Sequence, residues 1–146
     1  MAMTFQLHPD LLRDSHALPA AEPMAGAAAP WLELCEARVI DDSAYPWFLL
    51  VPRVDGARDT VDLSPADHAR MWEESRRFGT ALMAAFGGHK LNVAALGNMT
   101  PQLHLHHVVR YRDDPAWPGP IWGVQPMTPY TEDGLEAVRE RLTPHL

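Results

Sequence analysis

The feature that most restricts the fold is one long helix with recognisable signals at both ends. Residues 64–87 begin with Ser64 and Pro65 and end at Gly87. A serine side chain caps the first amides of a helix, proline fits its first turn, and glycine commonly ends it. The apolar residues between these ends recur at helical spacing: Met71, Phe78, Leu82 and Phe86. One face of this helix is therefore predicted to be buried.

Strand patterns lie on both sides of the helix, and their segments are residues 31–40, 47–53, 89–96 and 102–112. The first segment alternates apolar and polar residues, and the second is a short apolar run typical of a strand buried on both faces. No second helix lies within either pair. We therefore expect an α+β fold whose antiparallel or mixed sheet carries the long helix on one face.

The remaining parts of the chain extend this domain. The Ala- and Pro-rich residues 20–30 have neither strand nor helix periodicity and are predicted to form a loop or flexible flap. A short C-terminal helix is predicted from Glu132 to about Leu142, with Thr131 as its cap. The sequence contains no internal repeat, so its 146 residues are expected to form one domain.

The charge balance restricts the partners. With 12 Lys and Arg against 19 Asp and Glu, the formal net charge is -7, which argues against binding to duplex nucleic acid. A small phosphorylated ligand remains compatible, since local amides and a few arginines suffice to hold it. The single cysteine, Cys35, and the lack of signal-peptide and long apolar patterns predict a cytoplasmic protein that does not enter a membrane.

Three of the eight histidines fall within residues 104–107. In a strand, Gln102, His104 and His106 project to one face and His107 to the other. Two imidazoles fixed side by side suit chemistry near neutral pH, because histidine acts there as nucleophile, proton donor or metal ligand. His107 is interpreted as a structural or interfacial residue.

A metal-dependent enzyme is one alternative interpretation of the pair His104 and His106. Two same-face imidazoles bind zinc or iron when a third ligand converges on them. No cysteine or carboxylate stands at ligand spacing nearby, so His8, His16 or His89 would have to complete the site. We predict no metal and no cofactor, and keep the metal-dependent enzyme as an alternative.

The sequence around these histidines resembles the histidine triad (HIT) family. The resemblance rests on NVAALGNMTPQLHLHHVVR at residues 92–110 and covers roughly residues 32–124. With YPWFLLVPR before the helix and DPAWPGPIWG after the histidines, the chain is similar to bacterial HIT proteins described as diadenosine polyphosphate hydrolase-like. The resemblance implies a homodimer of single HIT-like domains. Each domain, 1–146, would comprise an N-terminal extension and loop (1–31), a core (32–124) and a C-terminal tail with the short helix (125–146).

The resemblance also implies a role for each candidate residue. His104, as the middle triad residue, would attack the α-phosphorus of a nucleotide conjugate. His106 would bind phosphoryl oxygens and assist the leaving group. Gln102 occupies the first triad position, where an amide cannot transfer a proton. The predicted substrate-binding residues are Asn92 and Asn98 for phosphate, Asp41 or Asp42 for ribose, and Arg110 for phosphate charge.

The leading hypothesis is a nucleotide-conjugate hydrolase or nucleotidyl transferase that acts on a phosphoanhydride or phosphoramidate through a nucleotidyl-histidine intermediate. Its expected partner is a purine nucleotide or a dinucleoside polyphosphate. A nucleotide-binding module with weak or no catalysis is the other alternative, motivated by Gln102. Two readings stay open: Arg110 also suits a solvated charge at a strand end, and Trp117 and Trp122 suit either base stacking or packing of the tail.

Overall fold

In the computed structural model, which describes residues 5–18 and 31–146, the chain forms a five-stranded sheet. The strands are β1 (Ser15–Ala17), β2 (Cys35–Ile40), β3 (Trp47–Pro52), β4 (Lys90–Ala95) and β5 (Leu105–Arg110). Their order across the sheet is β1-β2-β3-β5-β4, and neighbouring strands are antiparallel. The α+β fold with an antiparallel sheet is confirmed, and β5 lies inside the sheet between β3 and β4.

Three α-helices accompany the sheet in the described residues: α1 (Pro9–Asp14), α2 (Pro65–Phe86) and α3 (Glu132–Leu142), with short 3-10 turns at Thr60–Asp62 and Thr143–His145. The predicted ends of α2 are confirmed, because Ser64 Oγ accepts a hydrogen bond from the Asp67 amide (3.1 Å) and Gly87 follows with a φ of 60°. Thr131 caps α3 by accepting from the Gly134 amide (3.1 Å). None of the helices described here is both long and apolar enough to cross a membrane.

The first predicted strand is shorter than its sequence pattern indicates. Residues 31–40 become a strand only from Cys35, because the buried carboxylate of Glu74 on α2 takes the amides of Leu34 (3.1 Å) and Cys35 (2.9 Å). The patterns also gave no signal for α1 and β1. The loop or flap predicted for residues 20–30 lies outside the described residues.

The last predicted strand begins only at Leu105, so Gln102 and His104 precede it. The Leu103 amide donates to the Ala57 carbonyl (3.0 Å), which ties this stretch to the loop before α2 instead of to a neighbouring strand. The alternation expected from Gln102 onward therefore applies only within β5. Because Gln102 lies outside β5, its side chain is free of the strand alternation and contacts the N-terminal segment.

The two faces of the sheet bury different sets of residues. α2 covers one face, with α3 packed beside it, over a core that includes Phe48, Leu50, Leu105 and Val109. α1 and residues 116–122 cover the other face, whose core includes Trp47, Leu49, Val51, Val108, Leu11 and Ile121. Within β5, His106 points to the same face as Val108 and contacts Trp47 there, whereas His107 points to the opposite face, toward α2. The candidate chemistry thus lies on the face that α2 does not cover.

Candidate active site

His104 and His106 are in contact at the beginning of β5. Their ring centroids are 5.1 Å apart, and the rings meet edge to face. Strand pairing fixes His106, since Leu49 of β3 lies opposite it. His104 and His106 are only 6% and 7% exposed, and each ring has one protein hydrogen-bond partner, at Nδ1.

The surroundings of His106 keep it neutral with the proton on Nε2. Trp47 Nε1 donates a hydrogen bond to His106 Nδ1 (2.9 Å), and an indole nitrogen only donates, so Nδ1 carries no proton. Burial, followed by the charges of His104 and His107, lowers the pKa of His106 to about 3. Trp122 also packs against His106, and the centroids of the two rings are 5.2 Å apart. His106 can therefore donate a hydrogen bond from Nε2.

His104 holds the opposite tautomer. Its Nδ1 donates to the backbone carbonyl of Gln102 (2.6 Å), and a carbonyl only accepts, so the Nε2 lone pair is free of a proton. Burial lowers the pKa of His104, the bond to Gln102 raises it, and the charge of His8 lowers it. Gly97, at a φ of 86°, leaves space beside this ring, since a Cβ there would lie 3.6 Å from His104 Cε1. The arrangement presents a nucleophilic nitrogen.

The side chain of Gln102 is bound to the N-terminal segment. Its Nε2 donates to the Gln6 carbonyl (2.9 Å), and its Oε1 accepts from the His8 amide (2.8 Å). Both polar atoms are thus engaged by backbone groups of that segment. The structure brings Gln102 next to the histidine pair through its backbone, while its side chain fastens residues 6–8.

His107 lies on the α2 side of the sheet and is fully buried. Its Nδ1 donates to the Leu105 carbonyl (3.2 Å), which leaves Nε2 to accept from Ser75 Oγ on α2 (2.7 Å). Burial lowers its pKa to about 4. These contacts join β5 to α2 and give His107 a structural role, on the face opposite to His104 and His106.

Arg110 and Asn92 come together, but away from the histidine pair. Arg110 Nε and Nη2 donate to the two carboxylate oxygens of Asp114 (2.7 and 2.9 Å), and Nη1 donates to Asn92 Oδ1 (2.8 Å). The guanidinium also lies over the ring of Trp117, at 5.5 Å. Arg110 is 1% exposed and four residues beyond His106, roughly 13 Å at about 3.3 Å per residue. These contacts hold the loop after β5, and phosphate binding by either residue stays a prediction.

Asp41 and Asp42 hold the segment that leads to α3. Asp41 Oδ1 accepts from the Tyr130 amide (3.0 Å) and lies 3.1 Å from His16 Nε2. Asp42 Oδ1 accepts from the amides of Ala44 (3.0 Å) and Thr128 (3.3 Å). Both carboxylates lie at the β2–β3 turn, which is at the Arg110 end of the sheet. Ribose binding by either residue therefore has no supporting contact.

Asn98 is the one predicted phosphate-binding residue that lies in the turn beside His104. This turn contains Gly97 and Thr100, and a Cβ on Gly97 would meet both the Thr100 carbonyl and His104. Asn98 itself is exposed. Its position permits contact with a ligand at His104, and its role stays a prediction.

Two site residues were missed or left undecided by the sequence. Trp47 gave no signal, because its contact with His106 arises from the pairing of β3 with β5. Of the two tryptophans considered for base stacking, Trp122 contacts His106, whereas Trp117 packs on Arg110 and on His89 (5.4 Å).

The metal-dependent alternative finds no set of ligands. In residues 5–18 and 31–146, no group of three or more His, Cys, Asp or Glu side chains is arranged to hold a metal ion. The pair His104 and His106 thus lacks a third converging ligand within that part of the chain.

Comparison with known proteins decides the family. The HIT domain family matches residues 31–113. The chain belongs to the histidine triad family. HIT proteins bind nucleotides and are often hydrolases or transferases. A comparison with curated proteins finds no significant match.

Two solved HIT structures match nearly the whole chain, and a third shares the fold over a smaller part of it. A histidine triad protein from Marinobacter aquaeolei VT8 is 46% identical, with a TM-score of 0.87, and the match covers 99% of this chain and 97% of that protein. A histidine triad protein from Bradyrhizobium japonicum is 34% identical, with a TM-score of 0.86 and 98% of each chain covered. A histidine triad nucleotide-binding protein from Sulfolobus tokodaii is 12% identical, with a TM-score of 0.61 and 77% and 78% covered, and shares the fold.

Proposed function

We propose that this HIT protein is a nucleotide-conjugate hydrolase or nucleotidyl transferase that works through His104. The observation that carries the proposal is the fixed tautomer of this residue. Because the Gln102 carbonyl engages the Nδ1 proton, Nε2 keeps the lone pair that a nucleophile needs. The lowered pKa of His104 keeps this form populated at neutral pH.

The proposed reaction divides one displacement into two. In the first step the Nε2 lone pair of His104 forms an N–P bond to the α-phosphorus, and the bond to the leaving group breaks with its electron pair on the leaving atom. The positive imidazole that results is stabilised by the Gln102 carbonyl through the Nδ1 proton. In the second step water attacks phosphorus, the N–P electron pair returns to Nε2, and the water proton passes to the medium. An acceptor hydroxyl in place of water makes the protein a transferase.

His106 supports this chemistry as a hydrogen-bond donor. With a pKa of about 3 its ring is neutral, and a neutral imidazole N–H donates hydrogen bonds but is a poor acid. We therefore propose that His106 Nε2 donates a hydrogen bond to a phosphoryl oxygen. Negative charge develops on this oxygen in the transition state, in a site from which water is nearly excluded. The contact with Trp47 maintains that orientation.

The substrate proposed is a purine nucleotide conjugate, either a phosphoanhydride such as a dinucleoside polyphosphate or a phosphoramidate. The similarity of residues 32–124 to diadenosine polyphosphate hydrolase-like proteins supports this choice. We also propose a homodimer formed through α2 and β4. The support is an apolar cavity of about 580 Å³ between them, flanked by the exposed Trp72 and Val93.

The decisive test is replacement of the nucleophile. His104→Ala is expected to abolish turnover of diadenosine tetraphosphate and of an adenosine phosphoramidate while the circular dichroism spectrum stays unchanged. His89→Ala serves as the matched control, because His89 is exposed and lies at the Arg110 end of β5. Undiminished hydrolysis by His104→Ala would exclude it as the nucleophile.

A nucleotide-binding module is the second candidate. Both polar atoms of the Gln102 side chain are engaged elsewhere, so the first triad position supplies no proton to the site. Titration calorimetry with AMP, run beside the turnover assay, separates the two functions. Binding of AMP without turnover of either substrate favours the module, and turnover favours the enzyme.

A further inference from the structure

The N-terminal segment carries His8 and is held on the turn before β5. Gln102 fastens this segment with two hydrogen bonds, to the Gln6 carbonyl and the His8 amide. One turn later, Thr100 Oγ1 donates to Asp10 Oδ2 (2.9 Å), so the segment is held at two points on the turn before β5. The same Gln102 joins the segment to His104, because its backbone carbonyl accepts from His104 Nδ1 (2.6 Å).

The orientation of His8 is also fixed. His8 is the N-cap of α1, and its Nδ1 accepts a hydrogen bond from the Asp10 amide (3.0 Å). The ring proton of the neutral form is therefore on Nε2, away from the helix. The side chain is 32% exposed, so it is accessible to a ligand.

A cavity of about 270 Å³ lies beside this imidazole, lined by His8, Gly56, Ala57, Arg58, Pro101 and Gln102. Its wall is held in place, because the Leu103 amide donates to the Ala57 carbonyl (3.0 Å). Arg58 supplies an exposed guanidinium, and His8 supplies the N–H group at its Nε2. Such a lining suits an anion, since guanidinium and imidazole both donate hydrogen bonds to phosphate oxygens.

We propose that His8 and Arg58 bind the anionic leaving group of the substrate in this cavity, with Gln102 as the residue that positions His8. This inference rests on the proposed function and selects the phosphoanhydride from the two substrate classes. An anionic phosphate departs without protonation but benefits from neutralised charge. An amine needs an acid, and the neutral His106 is a poor one.

The test compares two substrates that share the adenylyl group. When the α-phosphorus is attacked, diadenosine tetraphosphate releases ATP, whose terminal phosphate is the anionic leaving group, and an adenosine phosphoramidate releases an amine. His8→Asn keeps a side chain suited to the N-cap and removes the imidazole, so α1 stays capped. We expect His8→Asn and Arg58→Ala each to lower kcat/KM at least 10-fold for the tetraphosphate and less than threefold for the phosphoramidate. Equal losses on both substrates, or no loss on either, overturn the proposal.

Two further variants distinguish positioning from general damage. Gln102→Ala should lower kcat/KM for the tetraphosphate selectively, as His8→Asn does. The double variant His8→Asn, Gln102→Ala should lower kcat/KM no more than either single variant. Additive losses overturn the positioning role of Gln102. Arg58→Lys should recover part of the loss of Arg58→Ala.

A measurement without turnover separates this inference from the proposed function. Inorganic pyrophosphate is titrated into the protein in a calorimeter, and His8→Asn and Arg58→Ala are each expected to weaken binding at least 10-fold. Unchanged pyrophosphate binding overturns the anion site, whatever the activity. Turnover that persists in His104→Ala overturns the proposed function and leaves the pyrophosphate result to decide the anion site.

Discussion

At the scale of residues, the site consists of two imidazoles whose protons are placed on opposite nitrogens. A backbone carbonyl fixes His104 with its proton on Nδ1, and Trp47 fixes His106 with its proton on Nε2. Each partner can act in only one direction, since a carbonyl only accepts and an indole only donates. The two Nε2 atoms therefore differ, since that of His104 has a free lone pair and that of His106 carries the proton, although the side chains are identical.

Trp47→Phe removes the donor that sets the tautomer of His106. Phenylalanine keeps most of the ring that packs on His106, so the fold should persist, but Nδ1 then competes for the proton. We expect kcat to fall roughly 10- to 100-fold, because misplacing one hydrogen-bonding group of a catalytic site has costs of this order. The measurement is kcat at saturating substrate. Trp117→Phe, at the Arg110 end of β5, is the control, and equal kcat values in both variants would contradict the assignment.

The acid limb of the pH profile should lie below the ordinary pKa of histidine. Protonated His104 has no lone pair, so kcat/KM rises with pH through the pKa of His104, which burial lowers from 6.5. The pKa of His106, about 3, lies outside the working range. We expect a midpoint below pH 6.5 and a plateau at neutral pH in a series from pH 4 to 8. A midpoint at or above 6.5 would show that His104 is not the group that must be neutral.

The sequence predicted the histidine pair but not its surroundings. Spacing predicted that His104 and His106 lie together, and their rings are in contact although His104 precedes β5. The partner Trp47 is 59 positions away from His106 and is brought there by pairing between β3 and β5. Arg110 resembled a phosphate ligand in the sequence, and only the structure shows that Asp114 and Asn92 engage its donors.

At the scale of elements, α2 was predictable because its signals are local. Its cap, its first-turn proline and its terminal glycine all lie within the segment that they delimit. The starts of β2 and β5 depend instead on distant groups, the Glu74 carboxylate and the Ala57 carbonyl, so no local pattern could reveal them. The close packing of α2 on the sheet also depends on a distant residue. A Cβ on Gly79 of α2 would lie 2.7 Å from Leu91 Cδ2 of β4.

The ion pair at the end of β5 should support the fold and not substrate binding. Asp114→Ala leaves the buried guanidinium of Arg110 without its carboxylate, and breaking such a pair typically costs about 3–5 kcal/mol. We expect the free energy of unfolding in urea to fall by about that amount, while KM for diadenosine tetraphosphate stays within twofold of the wild-type value. The double variant Arg110→Met, Asp114→Leu should recover only part of the stability, because the amides of Tyr111, Ala116 and Trp117 also donate to the Asp114 carboxylate. A large increase in KM for the folded double variant would indicate instead that Arg110 binds the substrate.

At the scale of the whole molecule, β4 leaves one edge of the sheet available. Among the described strands β4 pairs only with β5, so its outer backbone groups face away from the sheet. Val93 on this strand and Trp72 on the neighbouring α2 are 37% and 40% exposed, beside the cavity between the two elements. Edge strands with exposed apolar residues are suited to pairing with another chain, and the proposed occupant is a second copy of this one.

Val93→Lys should therefore convert the protein to a monomer. A lysine at this edge places a charge in the centre of the proposed interface, where desolvation opposes association. Sedimentation velocity at micromolar concentration should give a dimer for the wild type and a monomer for the variant. Val61→Lys is the matched control, because Val61 is 83% exposed and precedes α2 in a 3-10 turn. A monomeric wild type would contradict the dimer itself. A dimer that survives Val93→Lys would place the interface elsewhere, because a buried unpaired charge weakens association.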